Sequence, residues 1–403
     1  MIRRKKDDGS GRAPEPLRLF IVAGEHSGDR LGGKLITELL RLSPLPIEFR
    51  GVGAEDMEAA GLDSLFAMSD VAVMGPLAIL KRLPLIYRRV HETVDAAVRF
   101  RPHAVVIIDS PEFTHPIARR IRRRLPGVPV VDYVSPTVWA WRPGRARKMA
   151  AYVDEVLALL PFEPDAHRRL GGPACTYVGH PLVDRLPWIA SLDTAALARR
   201  LALDPRLPVV TVLPGSRPTE VRRLMQPFGE ALGLVAERKG GLQVVLPAVK
   251  SVMPLIEEGL KGWPVEPHIV MGETDKFTAF RLCDAALAAS GTVTLELATA
   301  GTPMVVAYKV DALAARLRFL VKTPSIVLAN LVLGRNVFPE LIQEACTGET
   351  LAAALTPLLS DTPERRLQQE ALGGIAELMA PPASSPSVAA AESVLRYALT
   401  GRG

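Results

Sequence analysis

The sequence predicts an α/β protein of two Rossmann-like domains, each a parallel sheet covered by helices, facing a central cleft. Three observations predict it. From residue 17 onward, short apolar strands alternate with amphipathic helical stretches. These strands are apolar on both faces, as in sheets sandwiched between helix layers. The alternation breaks near 185–208, where Pro187, Pro205 and Pro208 bracket a short polar helix, and then restarts with a strand and a glycine loop. Length agrees: 403 residues exceed what one compact core holds, so two domains are expected.

Residues 1–16, polar and basic, read as a disordered tail. The first domain is expected over 17–190. It has a strand at 17–23, a helix at 31–42, a buried strand at 104–109, a helix from about 115 to 125 and a strand at 128–134. The second domain is expected over 191–362. Its strands are 209–213, 243–247, 285–288 and 304–308, with helices at about 220–239 and 292–300. Residues 363–403 read as an Ala- and Leu-rich helical tail, interrupted by PPASSPS at 381–387, that packs back across the domains.

Composition narrows the function. The net charge of +6 is clustered at 3–6, 119–124 and 142–148, which suits a phosphorylated substrate or an anionic membrane surface. Nucleic acid fits poorly, because neither zinc-finger spacing nor an aromatic RNA-binding strand occurs. Cys175, Cys283 and Cys346 are odd in number and far apart, as expected of reduced thiols in a cytoplasmic protein. No apolar run reaches the roughly 18 residues of a membrane span.

The chemistry concentrates at strand-to-helix turns. The first, AGEHSGDRLGGKL at 23–35, carries Glu25, Ser27, Gly28 and Asp29 at its tip. It nearly matches a P-loop, but Leu35 stands where Ser or Thr must hold magnesium. In the second, Asp109 ends a buried strand, where open α/β sheets bind ligands. It suits a general base, and equally a helix N-cap before Pro111. The third, LPGSR, places Gly215, Ser216 and Arg217 where the guanidinium can meet a diphosphate. In the fourth, Ser290, Gly291 and Thr292 open a helix, with Glu296 one turn on. A plain Ser/Thr cap with an exposed Glu explains that turn as well. The stretch YVSPTVWAWRPGRARK at 133–148 sets Trp139 and Trp141 beside Arg142, Arg145, Arg147 and Lys148, a pairing suited to a phosphorylated sugar or nucleotide. Segment 71–89 is greasy and basic, and Pro76 and Pro84 are expected to break it into short pieces. It reads as an interfacial segment, with Leu77, Ile79, Leu80, Lys81 and Arg82 as membrane contacts, or as an ordinary amphipathic core helix.

Taken together the motifs resemble the lipid-A-disaccharide synthase family of GT-B-type inverting glycosyltransferases. The resemblance runs from about 18 to 360. It rests on AGEHSGD at 23–29, AVMG at 72–75, IDSPEF at 108–113, YVSPTVWAWRPGRARKM at 133–149, LPFEP at 160–164, YVGHPL at 177–182, LPGSR at 213–217, ASGTVTLELATAGTPMVV at 289–306 and NLVLGRNVFPE at 330–340. One departure is His26, where Ala is usual.

The resemblance implies transfer of 2,3-diacylglucosamine from its UDP derivative to the 6-hydroxyl of 2,3-diacylglucosamine 1-phosphate, lipid X. It implies Asp109 as base, and Arg217 with Ser290–Thr292 on the departing diphosphate. Glu296 is then expected on the ribose, Asn330 and Arg335 on the nucleotide side, the Ser27–Gly28 amides facing the cleft, and Trp139 and Arg142 orienting the acceptor. No cofactor or metal is expected, the UDP-sugar being a substrate, and no D-x-D motif occurs. The implied partners are the two lipid substrates and the anionic cytoplasmic face of the inner membrane. The resemblance leaves open whether the chain forms a homodimer. The rival readings are a UDP-N-acetylglucosamine 2-epimerase, a P-loop-like switch and a non-catalytic membrane-surface protein.

Overall fold

The computed structural model describes residues 15–72, 76–311, 323–381 and 384–402, with backbone alone for 76–81. The tail expected over 1–16 therefore lies outside the described residues except for 15 and 16, as do the side chains of Leu77, Ile79, Leu80 and Lys81.

The first sheet holds β1 (Leu17–Ala23), β2 (Ile47–Val52), β3 (Asp63–Ser64), β4 (Ala104–Ile108), β5 (Val130–Tyr133), β6 (Glu155–Ala158) and β7 (Ala174–Tyr177). Its order is β3-β2-β1-β4-β5-β6-β7, all pairs parallel. The second holds β8 (Val209–Leu213), β9 (Gln243–Ala248), β10 (His268–Met271), β11 (Ala285–Ala289), β12 (Met304–Tyr308) and β13 (Glu340–Ile342), in the order β10-β9-β8-β11-β12-β13, again parallel. Every residue of β4, β8 and β11 is buried, because helices cover both faces. In each sheet the strand order reverses at one place, between β1 and β4 and between β8 and β11. Open α/β sheets bind ligands beyond the strand C-termini at such switch points.

Three expectations change. The first helix begins at His26, so Ser27, Gly28 and Asp29 belong to its opening turns and not to a loop. The helix after β4 begins at Pro111, not 115. Segment 76–100 is one helix, Pro76–Phe100, with Pro84 inside it. Pro76 sits at the first position, where no N–H is needed. Further along, Val90, Val94, Ala96 and Ala97 are buried in the first domain's core, and that packing outweighs the bond lost at Pro84.

The C-terminal helices join the two halves. Helix Pro363–Met379 buries Leu372, Ile375 and Met379 with Phe277 and Phe338 of the second domain. Helix Pro386–Thr400 buries Ala390, Val394 and Leu395 in the first domain's core. Its Ser393 hydroxyl donates to buried Glu155 at 2.5 Å, and Arg396 reaches the same carboxylate at 2.8 Å. The chain thus crosses the cleft once more at its end.

Candidate active site

Four turns meet at the cleft: those after β1 and β4 from one sheet, and those after β8 and β11 from the other. The first pair is drawn together by missing side chains. A Cβ on Gly24 lies 2.8 Å from the Ser110 Cβ, and one on Gly28 lies 3.3 Å from the Ile108 carbonyl oxygen. Glycine at these two positions lets the first helix seat against the end of β4. There Asp109 and Ser110 both adopt left-handed backbone, with φ of 51° and 46°. Such consecutive non-glycine residues cost energy, and strain of this kind clusters at ligand-binding turns. The Asp109 carboxylate accepts from the Ser110 N–H at 2.7 Å and sits 3.5 Å from the Ser27 hydroxyl. It is half-buried, and one oxygen remains lightly engaged.

Asp29 does not join it, which corrects its expected substrate role. It is 2 % exposed, and its carboxylate accepts from the backbone N–H groups of Ala54, Asp56 and Met57. Those bonds cap the short helix Glu55–Ala59, leaving Asp29 no capacity for substrate or for sharing the base role. Glu25 is exposed on the cleft side, so it is the alternative carboxylate.

On the other wall, a cavity of about 480 Å³ is lined by Gly215–Arg217, Lys276, Ser290–Thr292 and Glu296. Gly215 has φ +113°, and a Cβ there meets the Glu220 carboxylate at 2.5 Å. Glycine therefore lets Glu220 fold under the loop and take the Arg217 guanidinium at 2.7 Å. That hydrogen bond raises the Arg217 pKa above its ordinary value, and the Glu25 carboxylate across the cleft adds to it. Glu296 lines the cavity as expected, but Lys276 holds it with bonds of 2.9 and 3.0 Å. The Ser290 hydroxyl donates to the Ile326 carbonyl at 2.7 Å, which ties the segment after residue 323 to the cavity rim.

Asn330 and Arg335 depart from expectation. Asn330 is 1 % exposed, donates to Phe338 and Glu340, and accepts from Val337 and Phe338 N–H. Its hydrogen-bonding capacity is spent on clamping the 330–340 loop. Exposed Arg335 lines a separate cavity of about 230 Å³, facing Trp139 and Phe162. Trp139 is correspondingly turned away from Arg142. Its Nε1 donates to Glu163 at 3.1 Å and its ring meets Phe162 edge-on at 5.1 Å. Glu163 is buried, and burial pushes its pKa up to about 7 despite the bonds from Leu160 and Trp139.

Arg142 lies instead on a cavity of about 780 Å³ in the first domain, between helices Pro76–Phe100 and Pro111–Arg124 and residues 142–152. Under it runs a row absent from the sequence reading. Buried Asp132 lies 3.3 Å from the His115 Nε2, and the His115 Nδ1 lies 2.9 Å from the Tyr152 hydroxyl. Burial raises the Asp132 pKa, His115 opposes that shift, and the Asp109 carboxylate adds to it. The available signal was an Asp inside the apolar strand VVDY. Of the expected membrane contacts only the Arg82 side chain is described; it is exposed and donates to the Ser69 carbonyl at 2.7 Å.

Two facing parallel sheets, with a carboxylate turn on one and an arginine–glycine turn on the other, define a protein of GT-B architecture. Solved structures share this fold. UDP-GlcNAc 2-epimerase from Neisseria meningitidis bound to UDP-GlcNAc has a TM-score of 0.62 at 12 % identity, covering 95 % of this chain and 100 % of that one. MurG of Acinetobacter baumannii has a TM-score of 0.56 at 13 % identity, covering 94 % and 100 %. At such identities the likeness shows the fold alone. The sequence narrows it. The family profile described as lipid-A-disaccharide synthetase matches residues 19–392. The lipid-A-disaccharide synthase of Rhodopseudomonas palustris strain BisB18 is 50 % identical over 94 % of this chain and 95 % of that protein. That of Rhodospirillum centenum is 43 % identical over 94 % of each. The chain belongs to the lipid-A-disaccharide synthase family, a glycosyltransferase of lipid A biosynthesis.

Proposed function

We propose that the chain transfers 2,3-diacylglucosamine from its UDP derivative to the 6-hydroxyl of 2,3-diacylglucosamine 1-phosphate, with inversion. The observation that carries the residue assignment is the pairing of Asp109 at the end of β4 with Arg217 after β8, on walls close enough that Glu25 acts on Arg217.

In one in-line displacement the acceptor O6 attacks the donor C1. The new C1–O6 bond forms as the C1–O bond to the diphosphate breaks. The hydroxyl proton passes to Asp109, and the electron pair of the broken bond leaves on UDP. Ser27 and the Ser110 N–H hold the carboxylate for that transfer. Arg217, fixed by Glu220, meets the charge growing on the diphosphate, and the Ser290–Thr292 turn supplies hydroxyls and amides beside it. The step calls on no metal, which accords with a chain without a D-x-D motif.

Both substrates carry acyl chains, so the reaction belongs at a membrane surface, which we take to be the cytoplasmic face of the inner membrane. Among the described residues no helix is long and apolar enough to cross a membrane. Helix Pro76–Phe100 supports peripheral contact, with Leu83 and Tyr87 exposed at 47 % and 62 %.

The test is UDP release and disaccharide formation from the two substrates with EDTA present, beside Asp109→Asn. Disaccharide from the parent and a rate loss of about 10²–10⁴-fold in the variant are expected. Equal rates move the base to Glu25. No disaccharide from either protein, with UDP still bound, turns the reading toward an epimerase.

A further inference from the structure

Lys276 lies outside every motif that carries the family resemblance, yet it lines the cavity on the second wall beside Glu296. The two side chains come from different helices, Glu273–Leu282 and Val293–Thr299. The Lys276 Nζ donates to both Glu296 carboxylate oxygens, at 2.9 and 3.0 Å, and lies 4.9 Å from the ring centre of buried Phe277. The ring face attracts the ammonium and helps to fix it there.

An ammonium carries three N–H donors, and the carboxylate takes two of them. Each carboxylate oxygen can accept a second hydrogen bond. The pair therefore presents neighbouring acceptors and a spare donor on one patch. Vicinal hydroxyls fit such a patch: each donates to a carboxylate oxygen, and one accepts from the ammonium.

The other ion pair of this cavity is built differently. Arg217 is 70 % exposed over Glu220 at 11 %, so that pair shows an incoming ligand mainly its cation. Lys276 and Glu296 are 27 % and 21 % exposed, so theirs shows both signs about equally. A diphosphate beside Lys276 would also meet the Glu296 carboxylate, which repels it, whereas neutral hydroxyls meet no such penalty. Glu296 stands four residues beyond Thr292, one helical turn or about 5.4 Å along the axis. That spacing is comparable to the reach from the diphosphate of a nucleoside diphosphate to its ribose hydroxyls.

We propose that Lys276 is a specificity residue for the donor nucleotide: with Glu296 it binds both ribose hydroxyls, so the cavity takes a ribonucleoside diphosphate and rejects its deoxy counterpart. The inference rests on the UDP-sugar transfer proposed above and adds a hydrogen-bond donor that Glu296 lacks. A nucleotide without the hydroxyls covers the pair and leaves its spare donor and acceptors unmatched, which is the source of the discrimination.

The experiment is calorimetric binding of UDP, 2′,3′-dideoxy-UDP and inorganic pyrophosphate, with EDTA present, to the parent and to Lys276→Met. The parent should favour UDP over the dideoxy nucleotide by about 10–100-fold. Lys276→Met should lose about tenfold of that preference while binding pyrophosphate as the parent does. An unchanged preference overturns the proposal, because a merely structural lysine weakens both nucleotides alike. A loss of pyrophosphate affinity matching that of UDP assigns Lys276 to the diphosphate and overturns it as well. Should Lys276→Met be unfolded by circular dichroism, Lys276→Gln, which keeps a neutral donor beside Glu296, is read by the same criteria. In turnover, Lys276→Met should raise the KM for the UDP-sugar with kcat held. If the nucleotide preference behaves as expected while no protein makes disaccharide, the transfer reading fails and the role of Lys276 stands.

Discussion

The two walls of the cleft share a topology and differ in chemistry. Each presents two turns at a strand-order reversal, and in each a glycine makes room for a charged group. On the first wall, Gly24 and Gly28 let a helix close on β4, and the result is a carboxylate on left-handed backbone, Asp109 at φ 51°. On the second, Gly215 makes room for Glu220, and the result is a cation, Arg217, pinned at 2.7 Å. In the transfer proposed above, one wall takes a proton and the other stabilises a departing anion. A displacement needs both at once, which gives a physical reason for two domains meeting at one site.

If that division holds, the two walls fail differently when cut. Asp109→Asn keeps the shape of the turn and removes the base, so kcat should fall by about 10²–10⁴-fold with substrate affinities held. Arg217→Ala removes charge stabilisation and should cost about 10²–10³-fold in kcat, with UDP itself bound more weakly. Steady-state kinetics on both variants checks this. A weakened UDP affinity in Asp109→Asn, or an intact one in Arg217→Ala, breaks the assignment of roles to walls.

Much of this was legible in the sequence, and the misreadings have physical causes. β1, β8 and β12 were read to the residue because strands apolar on both faces stand out between polar turns. β2, β3, β6, β7, β10 and β13 are not legible: all but β6 are partly exposed and so resemble loops, and buried β6 carries the charged Glu155. Asp29 looked like a ligand because it sits in a glycine-rich turn. Its true partners, Ala54 to Met57, lie more than twenty residues away, and no local pattern encodes them. Trp139 and Arg142 are three residues apart yet serve different cavities, since the backbone turns through φ 53° at Arg142. Asn330 reads as a polar site residue, and only the folded loop shows its amide fully consumed.

Glu163 sharpens the comparison from the side of stability. Its carboxyl is buried under Trp139, where the domains pack, and its pKa is raised to about 7. A carboxyl whose folded pKa exceeds its unfolded value binds its proton more tightly in the native state. Stability linked to it is therefore present at pH 4.5 and lost as pH rises toward 7. The loss is on the order of 1–3 kcal/mol. Glu163→Gln, neutral at every pH, should flatten that slope. Urea denaturation at pH 5 and pH 7 measures it, and parallel slopes in parent and variant would falsify the buried-proton account.

The smallest effect expected lies outside the cleft, where the first wall continues into helix Pro76–Phe100. The long helix described in the second wall, Pro218–Lys239, instead buries Leu224, Phe228, Leu232 and Val235 within its own domain. The first wall's helix buries Val90 and Val94 but leaves Leu83 and Tyr87 in solvent, four residues apart and so on one face, beside exposed Arg82 and Arg88. Apolar side chains flanked by cations suit the headgroup boundary of an anionic bilayer. Replacing both with Ser removes about 1 kcal/mol of interfacial burial each, a factor of roughly five per side chain. Co-sedimentation with anionic vesicles should fall accordingly, and added salt should weaken the parent and the variant alike, since the cations remain. Unchanged partition would detach this helix from the membrane.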